Sequence, residues 1–325
     1  RIGWAADTLY LGGGTPSLLG GARIAALVQT ARDCYGLRGA EITVECNPSD
    51  VDGHLFEALA GAGVSRISLG LQSAVDEERK ALGRRAGVKE AAASVRLAGA
   101  AGIQNLSLDL MLGIPGQTAE SLRRSIDFCT QAGVCHISAY LLKIEEGTPF
   151  AQRRASLVLP NEDTVCDLYE QACEELEAAG FQQYEISNFA RHGFESRHNL
   201  KYWNAEEYLG LGASAHSFLG GKRFFYPRDR NAFLRGEGPI QDGEGGSFEE
   251  YAMLRMRLAD GLIESLARQR YGCGIPPYMR ESARRMEQYG LTSQDEDGIR
   301  LTRKGFLLSN TVIAELLYPA GGTAG

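Results

Sequence analysis

The chain of 325 residues is poor in several things, and each scarcity closes off a class of protein. Its seven cysteines, at 34, 46, 129, 135, 166, 173 and 273, contain no C-x-x-C pair and are odd in number, so no disulfide framework is expected. They read as thiols of a cytoplasmic protein, mostly buried. No apolar run approaches the roughly 20 residues that span a bilayer, so no intrinsic membrane segment is expected. Basic residues are outnumbered, 34 Lys+Arg against 41 Asp+Glu, for a net charge of −7. A general nucleic-acid-binding face is therefore excluded. What is abundant is glycine, 40 residues, and hydrophobic content is an ordinary 44%.

Short β-rich runs alternate with helical stretches: DTLYLGGG from Asp7, EITVECNP from Glu41, RISLGLQS from Arg66, NLSLDLMLG from Asn105 and CHISAYLLK from Cys135. Gly36, Gly102 and Gly133 sit where helix C-caps are expected, and Thr118 where a helix should start. Five such units within the first 145 residues predict a parallel sheet, either a βα barrel or a doubly wound sheet. In both, ligands bind at the carboxyl ends of the strands.

Strand parity adds a functional expectation, because successive side chains point to opposite faces. Ile42 and Val44 alternate with Glu41, Thr43 and Glu45. Ile67, Leu69 and Leu71 alternate with Ser68, Gly70 and Gln72, and Leu106, Leu108 and Leu110 with Asn105, Ser107 and Asp109. Helices should cover the apolar face. The polar face, with Glu45, Gln72 and Asp109 near its strand ends, should line an interior that holds a ligand. At the end of the first run, three glycines in succession, Gly12 to Gly14, imply backbone that comes close to something other than protein.

From about Pro160 the character changes. An amphipathic helix capped by Asn161 or Asp163 closes at Gly180, YEISNFA reads as a strand, and an aromatic-rich stretch follows. The polar run Asp242–Ser247 reads as a flexible boundary. Beyond it come two helices, then a hairpin and a final helix in the manner of a winged helix. The expected domains are 1–155, 156–243 and 244–325.

The ordered set GGGTPSLL, ECNP, GVSRISLGLQS, LDLMLGIPGQT, YEISNFA, HNLKYW and GLGASAHSF resembles the HemN-like branch of the radical S-adenosylmethionine (SAM) proteins. Within that branch it resembles the HemW group of heme chaperones. The resemblance implies an α/β fold: a TIM-like radical SAM barrel, here partial, with a small C-terminal domain. It also implies that Gly13, Gly14 and Thr15 lie against the methionine end of SAM, with Glu45, Gln72, Arg84 and Asp109 as further contacts. Charge suggests the roles. Arg84 suits the methionine carboxylate, Gln72 and Asp109 the ribose hydroxyls, and Glu45 the polar methionine end.

His198, Asn199, Tyr202 and Trp203 fit the H-N-x-x-Y-W heme motif of the chaperone group. Imidazole is a common axial ligand of heme iron, which makes His198 the candidate iron ligand, and Lys201 could meet a propionate. His216 stays outside the site. The C-x-x-x-C-x-x-C motif that binds the family's [4Fe–4S] cluster has no match here. The chain is therefore expected to begin partway into the barrel, without the first βα unit, leaving the strand at Asp7 as a sheet edge. The expected cofactors are SAM, heme and a cluster whose ligands lie outside this sequence. The expected function is heme binding and transfer to a recipient hemoprotein such as a respiratory oxidase. The alternative is an enzyme, the oxygen-independent coproporphyrinogen III oxidase.

Overall fold

The computed structural model describes residues 5–319 apart from 85. The chain divides into two compact units, Arg1–His198 and Asn199–Gly325. The first begins with a run of βα repeats: β1 (Thr8–Leu11), α1 (Gly21–Tyr35), β2 (Glu41–Cys46), α2 (Gly53–Ala62), β3 (Arg66–Gln72), α3 (Asp76–Ala81), α4 (Val88–Ala100), β4 (Asn105–Leu112), α5 (Ala119–Gln131) and β5 (His136–Leu141).

 Then follow α6 (Pro149–Gln152), α7 (Glu162–Ala178), β6 (Gln182–Glu185), β7 (Asn188–Ala190) and α8 (Arg197–Trp203), the last running across the division after His198.

The seven strands form one sheet in the order β1-β2-β3-β4-β5-β7-β6. Pairs from β1 to β5 are parallel, while β7 runs antiparallel to both β5 and β6. YEISNFA is thus two strands rather than one. The chain turns at Ile186 and Ser187, where Tyr169 Oη donates to the Ile186 carbonyl at 2.9 Å and Glu185 accepts from the Ser187 amide at 3.1 Å. β1 lies at one end of the sheet.

The apolar sides of the strands are covered. Ile42, Val44, Ile67, Leu69, Leu106, Leu108, Leu110 and Ile137 are all buried, as are the inward stripes of the helices, such as Ile24 and Val28 on α1 and Leu122 and Ile126 on α5. Each such side chain contributes about 1.5–3 kcal/mol to burial. Local signals fix the helix ends. Thr118 accepts from the Ser121 amide in a capping box, Asn161 accepts from the Thr164 amide, and Gly36 takes the left-handed conformation (φ 66°) that ends α1.

The second unit holds a three-stranded antiparallel sheet of β8 (His216–Leu219), β9 (Lys222–Phe225) and β10 (Ile240–Glu244), with α9 (Arg230–Leu234) between the last two. Half of the polar run Asp242–Ser247 is therefore strand, not flexible linker: Glu244 pairs with Lys222, and Gly245 and Gly246 pack against the ring of Phe218. Then come α10 (Phe248–Arg255), β11 (Leu262–Ile263), α11 (Glu264–Tyr271), α12 (Pro277–Glu287), β12 (Thr292–Gln294), β13 (Gly298–Leu301), α13 (Arg303–Leu307) and α14 (Ser309–Leu317). The β12–β13 hairpin is as expected, with β11 added to its edge and the final helix broken in two.

Candidate functional site

The polar face of the seven-stranded sheet is built from the alternate residues of each strand, and part of it is buried. Thr43, Arg66, Ser68, Ser107, His136 and Ser138 are each no more than 5% exposed. His136 has both ring nitrogens engaged, Nδ1 with Ser107 Oγ and Nε2 with Tyr184 Oη, each at 2.8 Å. Burial, then the nearby Arg66 charge, holds its pKa well below the usual value, so the ring is neutral. Asp109 accepts from Ser68 Oγ at 3.0 Å, with Ser138 as a second hydroxyl partner. Burial raises its pKa despite those hydrogen bonds.

Gln72 ends β3 at a bulge, with a left-handed φ of 64° that few non-glycine residues adopt. Such a conformation costs about 1–3 kcal/mol and is held only by its surroundings. Here the holding is visible. The following residue, Ser73, donates to Glu78 at 2.5 Å, and Arg79 donates to the Ser73 carbonyl at 2.6 Å, both from α3. Gln72 is only 7% exposed, yet its Oε1 has no hydrogen-bond partner. Its side chain folds back over Gly70, where a Cβ would lie 2.9 Å from Nε2.

Gly12 differs from the two glycines after it. A Cβ there would lie 2.5 Å from Tyr10 Cε1 and 2.9 Å from the Glu45 carboxylate, so what comes close to Gly12 is protein. This corrects the expectation for that residue. Gly13 has a φ of 80°, and a Cβ at Gly13 or Gly14 would meet nothing within 4 Å. Tyr10 Oη donates to Glu45 Oε1 at 2.6 Å, and the Gly13 amide donates to Glu45 Oε2 at 3.2 Å. Burial, then the Glu45 charge, pushes the Tyr10 phenol far above its usual range, so the proton stays on Tyr10. Cys46, next to Glu45, is buried, and its thiol is pushed up to about 12, which leaves it protonated.

The polar sheet face carries Glu45 and Gln72 at or next to the ends of β2 and β3, with Gly13 just past β1, whereas Asp109 lies within β4, three residues before its end. Thr15 follows at the start of a short 3₁₀ turn, Pro16–Leu19. Arg84 lies exposed after α3, with its amide donating to the Arg79 carbonyl at 2.9 Å.

His198 approaches the same sheet from α8. Its ring stacks on Tyr10, with centroids 5.0 Å apart and planes at 24°, and its Nδ1 shares a 2.9 Å hydrogen bond with Thr8 Oγ1. Buried Glu41 accepts from the amides of Arg197 and His198 at 3.2 and 3.1 Å, which caps the start of α8. A spacing of four places His198 and Tyr202 on one side of that helix, and Asn199 and Trp203 on another. Tyr202 packs edge-on against Tyr208 at 4.6 Å, and Trp203 lies under the Arg257 guanidinium. Lys201 forms a 2.8 Å ion pair with Glu206 rather than standing ready for a propionate.

Thr8 and Tyr10 belong to this arrangement and were not singled out in the sequence, whereas Glu41 and Ser68 were placed on the polar face by alternation without a role. Parity would have found the first two, since Thr8 and Tyr10 alternate with Leu9 and Leu11 and so share the polar face.

The residues present suit SAM in two respects. Gln72 carries an orphaned buried oxygen, and a Cβ at Gly13 or Gly14 would point into space that no protein atom fills within 4 Å. For a [4Fe–4S] cluster they do not suffice: among the described residues no group of three His, Cys, Asp or Glu could hold a metal ion. Nor, among the described residues, is any helix long and apolar enough to cross a membrane.

Comparison with known proteins agrees with the geometry. Residues 2–129 match the Radical SAM superfamily, and residues 248–308 match the HemN C-terminal domain. The heme chaperone HemW of Mycobacterium tuberculosis is 38% identical over 321 residues, covering 95% of this chain and 80% of that protein. Heme chaperone HemW of Bacillus subtilis is 33% identical over 322 residues, covering 95% and 85%. The solved structure of coproporphyrinogen III oxidase (HemN) from Escherichia coli, a radical SAM enzyme, shares the fold with a TM-score of 0.80 at 22% identity, over 97% of this chain and 79% of that one. Membership of such a family implies SAM and a [4Fe–4S] cluster as cofactors. With identity of this level over most of its length and of theirs, the chain belongs to the HemW heme-chaperone family of radical SAM proteins.

Proposed function

We propose that this protein binds heme through the His198–Trp203 segment and passes it to a recipient hemoprotein in the cytoplasm or at a membrane. The observation that carries the reading is the placement of His198. Its backbone is capped by Glu41, its Nδ1 is held by Thr8, and its ring is stacked on Tyr10, so the imidazole has a fixed orientation. A metal ligand held in this way loses little freedom on binding. Heme, when bound, supplies an iron that the imidazole of His198 ligates, while Tyr202 and Trp203 offer flat apolar surface.

SAM is assigned to the strand ends. Glu45 and the Gly13 and Gly14 backbone receive the methionine amino end, with Thr15 beside them. Arg84 takes the carboxylate, and Gln72 and Asp109 the ribose hydroxyls. The orphaned Gln72 oxygen supports this assignment, because a hydroxyl donor would satisfy it. The domains that serve these roles are 1–155 for the barrel, 156–243 for the segment with the heme motif and 244–325 for the C-terminal domain.

The test is a heme titration of the wild type and of His198→Ala, followed in the Soret region. A Soret band at stoichiometric heme that weakens at least about tenfold in affinity in the variant supports the reading, since tenfold corresponds to about 1.4 kcal/mol. Equal titrations remove His198 from the site.

A further inference from the structure

We infer that Tyr10 is a positioning residue that couples the two ends of this site, so that a cation at Glu45 changes the hold on heme at His198, and heme changes the hold on that cation. The inference rests on the assignments above, with heme at His198 and the ammonium end of SAM at Glu45.

The sheet holds His198 through Thr8 at Nδ1, Glu41 at the amide and Tyr10 at the ring face. Of these contacts only that of Tyr10 continues to Glu45. The phenol donates to Oε1 at 2.6 Å, and the other carboxylate oxygen accepts from the Gly13 amide at 3.2 Å. The order of contact is therefore Gly13, Glu45, Tyr10, His198, all within the Arg1–His198 unit. A half-buried phenol whose proton is given to a carboxylate follows that carboxylate when it turns. Gly12 leaves the ring edge room to do so, because any Cβ there would lie 2.5 Å from Tyr10 Cε1. A tilt of Tyr10 alters its stack with the imidazole and hence the direction in which the ring nitrogens point. An ammonium drawn to Glu45 supplies that turn. By linkage the effect is reciprocal: if SAM changes heme affinity, heme changes SAM affinity by the same factor.

The experiment measures heme dissociation constants with and without saturating SAM for the wild type, Tyr10→Phe, Thr8→Val and His198→Ala. The phenyl ring of Tyr10→Phe keeps the stack and loses only the hydrogen bond to Glu45. The expected result is a wild-type ratio that departs from one by at least about fivefold, at the lower end of usual coupling. In Tyr10→Phe that ratio falls to one while the Soret position stays as in the wild type. Thr8→Val, which touches His198 but not Glu45, weakens heme binding and keeps the ratio. A residue with only a structural role would shift heme affinity equally with and without SAM. The inference is overturned if the wild-type ratio is one, or if Tyr10→Phe keeps it. If His198→Ala binds heme like the wild type, the assignment of heme itself fails, and that outcome is separate from the other two.

Discussion

Two sets of glycines in this molecule answer to different demands. In the second unit a Cβ at Gly305 would lie 2.0 Å from the Leu291 carbonyl oxygen, at Gly298 2.3 Å from that of Leu262, and at Gly261 2.1 Å from that of Ile299. These glycines are there because another stretch of backbone passes through the space. At Gly14 in the first unit the backbone has no left-handed φ, and nothing lies within 4 Å. Buried polar groups show the same contrast. Arg255 of the second unit donates to the Gly261 carbonyl and to Asn204, with Asp260 at 2.8 Å. Among the described residues, four of the five buried side-chain atoms without a hydrogen-bond partner, on Thr43, Arg66, Gln72 and Asn188, belong to the seven-stranded sheet. The fifth is the Arg255 nitrogen beside Asp260. Packing accounts for Gly261, Gly298 and Gly305. It does not account for Gly14 or for the orphaned Gln72 oxygen, and the ligand proposed above would.

The comparison can be broken at either side. The largest effect is expected at Gly305→Ala, where a methyl group meets backbone that has no room to give. Loss of about 3 kcal/mol or more in urea unfolding of the C-terminal domain is the expected outcome, and a change under about 0.5 kcal/mol would refute the packing explanation.

Next comes Gln72→Gly. Glycine accepts the positive φ without strain, so the variant should gain about 1 kcal/mol of stability while its SAM affinity falls. Calorimetry and a SAM titration on the same sample decide it, and parallel losses of stability and affinity would contradict the account.

The smallest effect is a pH dependence. Asp109 has a native pKa raised by burial, so the native state holds its proton more tightly than the unfolded chain, whose value is about 3.9. Its contribution to stability is therefore fully present below that value and is lost as pH rises through the native one. Asp109→Asn removes the dependence. Unfolding free energies of variant and wild type should separate in the variant's favour as pH rises, and a gap that is constant with pH would count against a raised pKa.

Much of this was legible in the sequence because it is local. Alternation along β2, β3 and β4 placed Glu45, Ser68 and Asp109 on one face, and Thr118 and Asn161 began helices where short-range hydrogen bonding favours them. What was missed depends on pairs remote in the chain. Thr8 and His198 are 190 residues apart and Tyr10 and Glu45 are 35 apart, so neither contact has a local signature. The turn inside YEISNFA was missed for a related reason. A β-rich run reads as one strand until Tyr169, from α7, is seen to hold the Ile186 carbonyl. The ion pair of Lys201 with Glu206 is local, five residues apart, but a basic residue within a heme motif invited a ligand role first.

The most direct test of the central claim is equilibrium binding of SAM to Gly14→Ala, with urea unfolding of the same variant as its control. The account predicts stability within about 0.5 kcal/mol of the wild type, because the new methyl group meets no atom of the protein, together with SAM affinity at least about tenfold weaker. A variant that binds SAM as tightly as the wild type would contradict it, because Gly14 would then have no ligand to make room for.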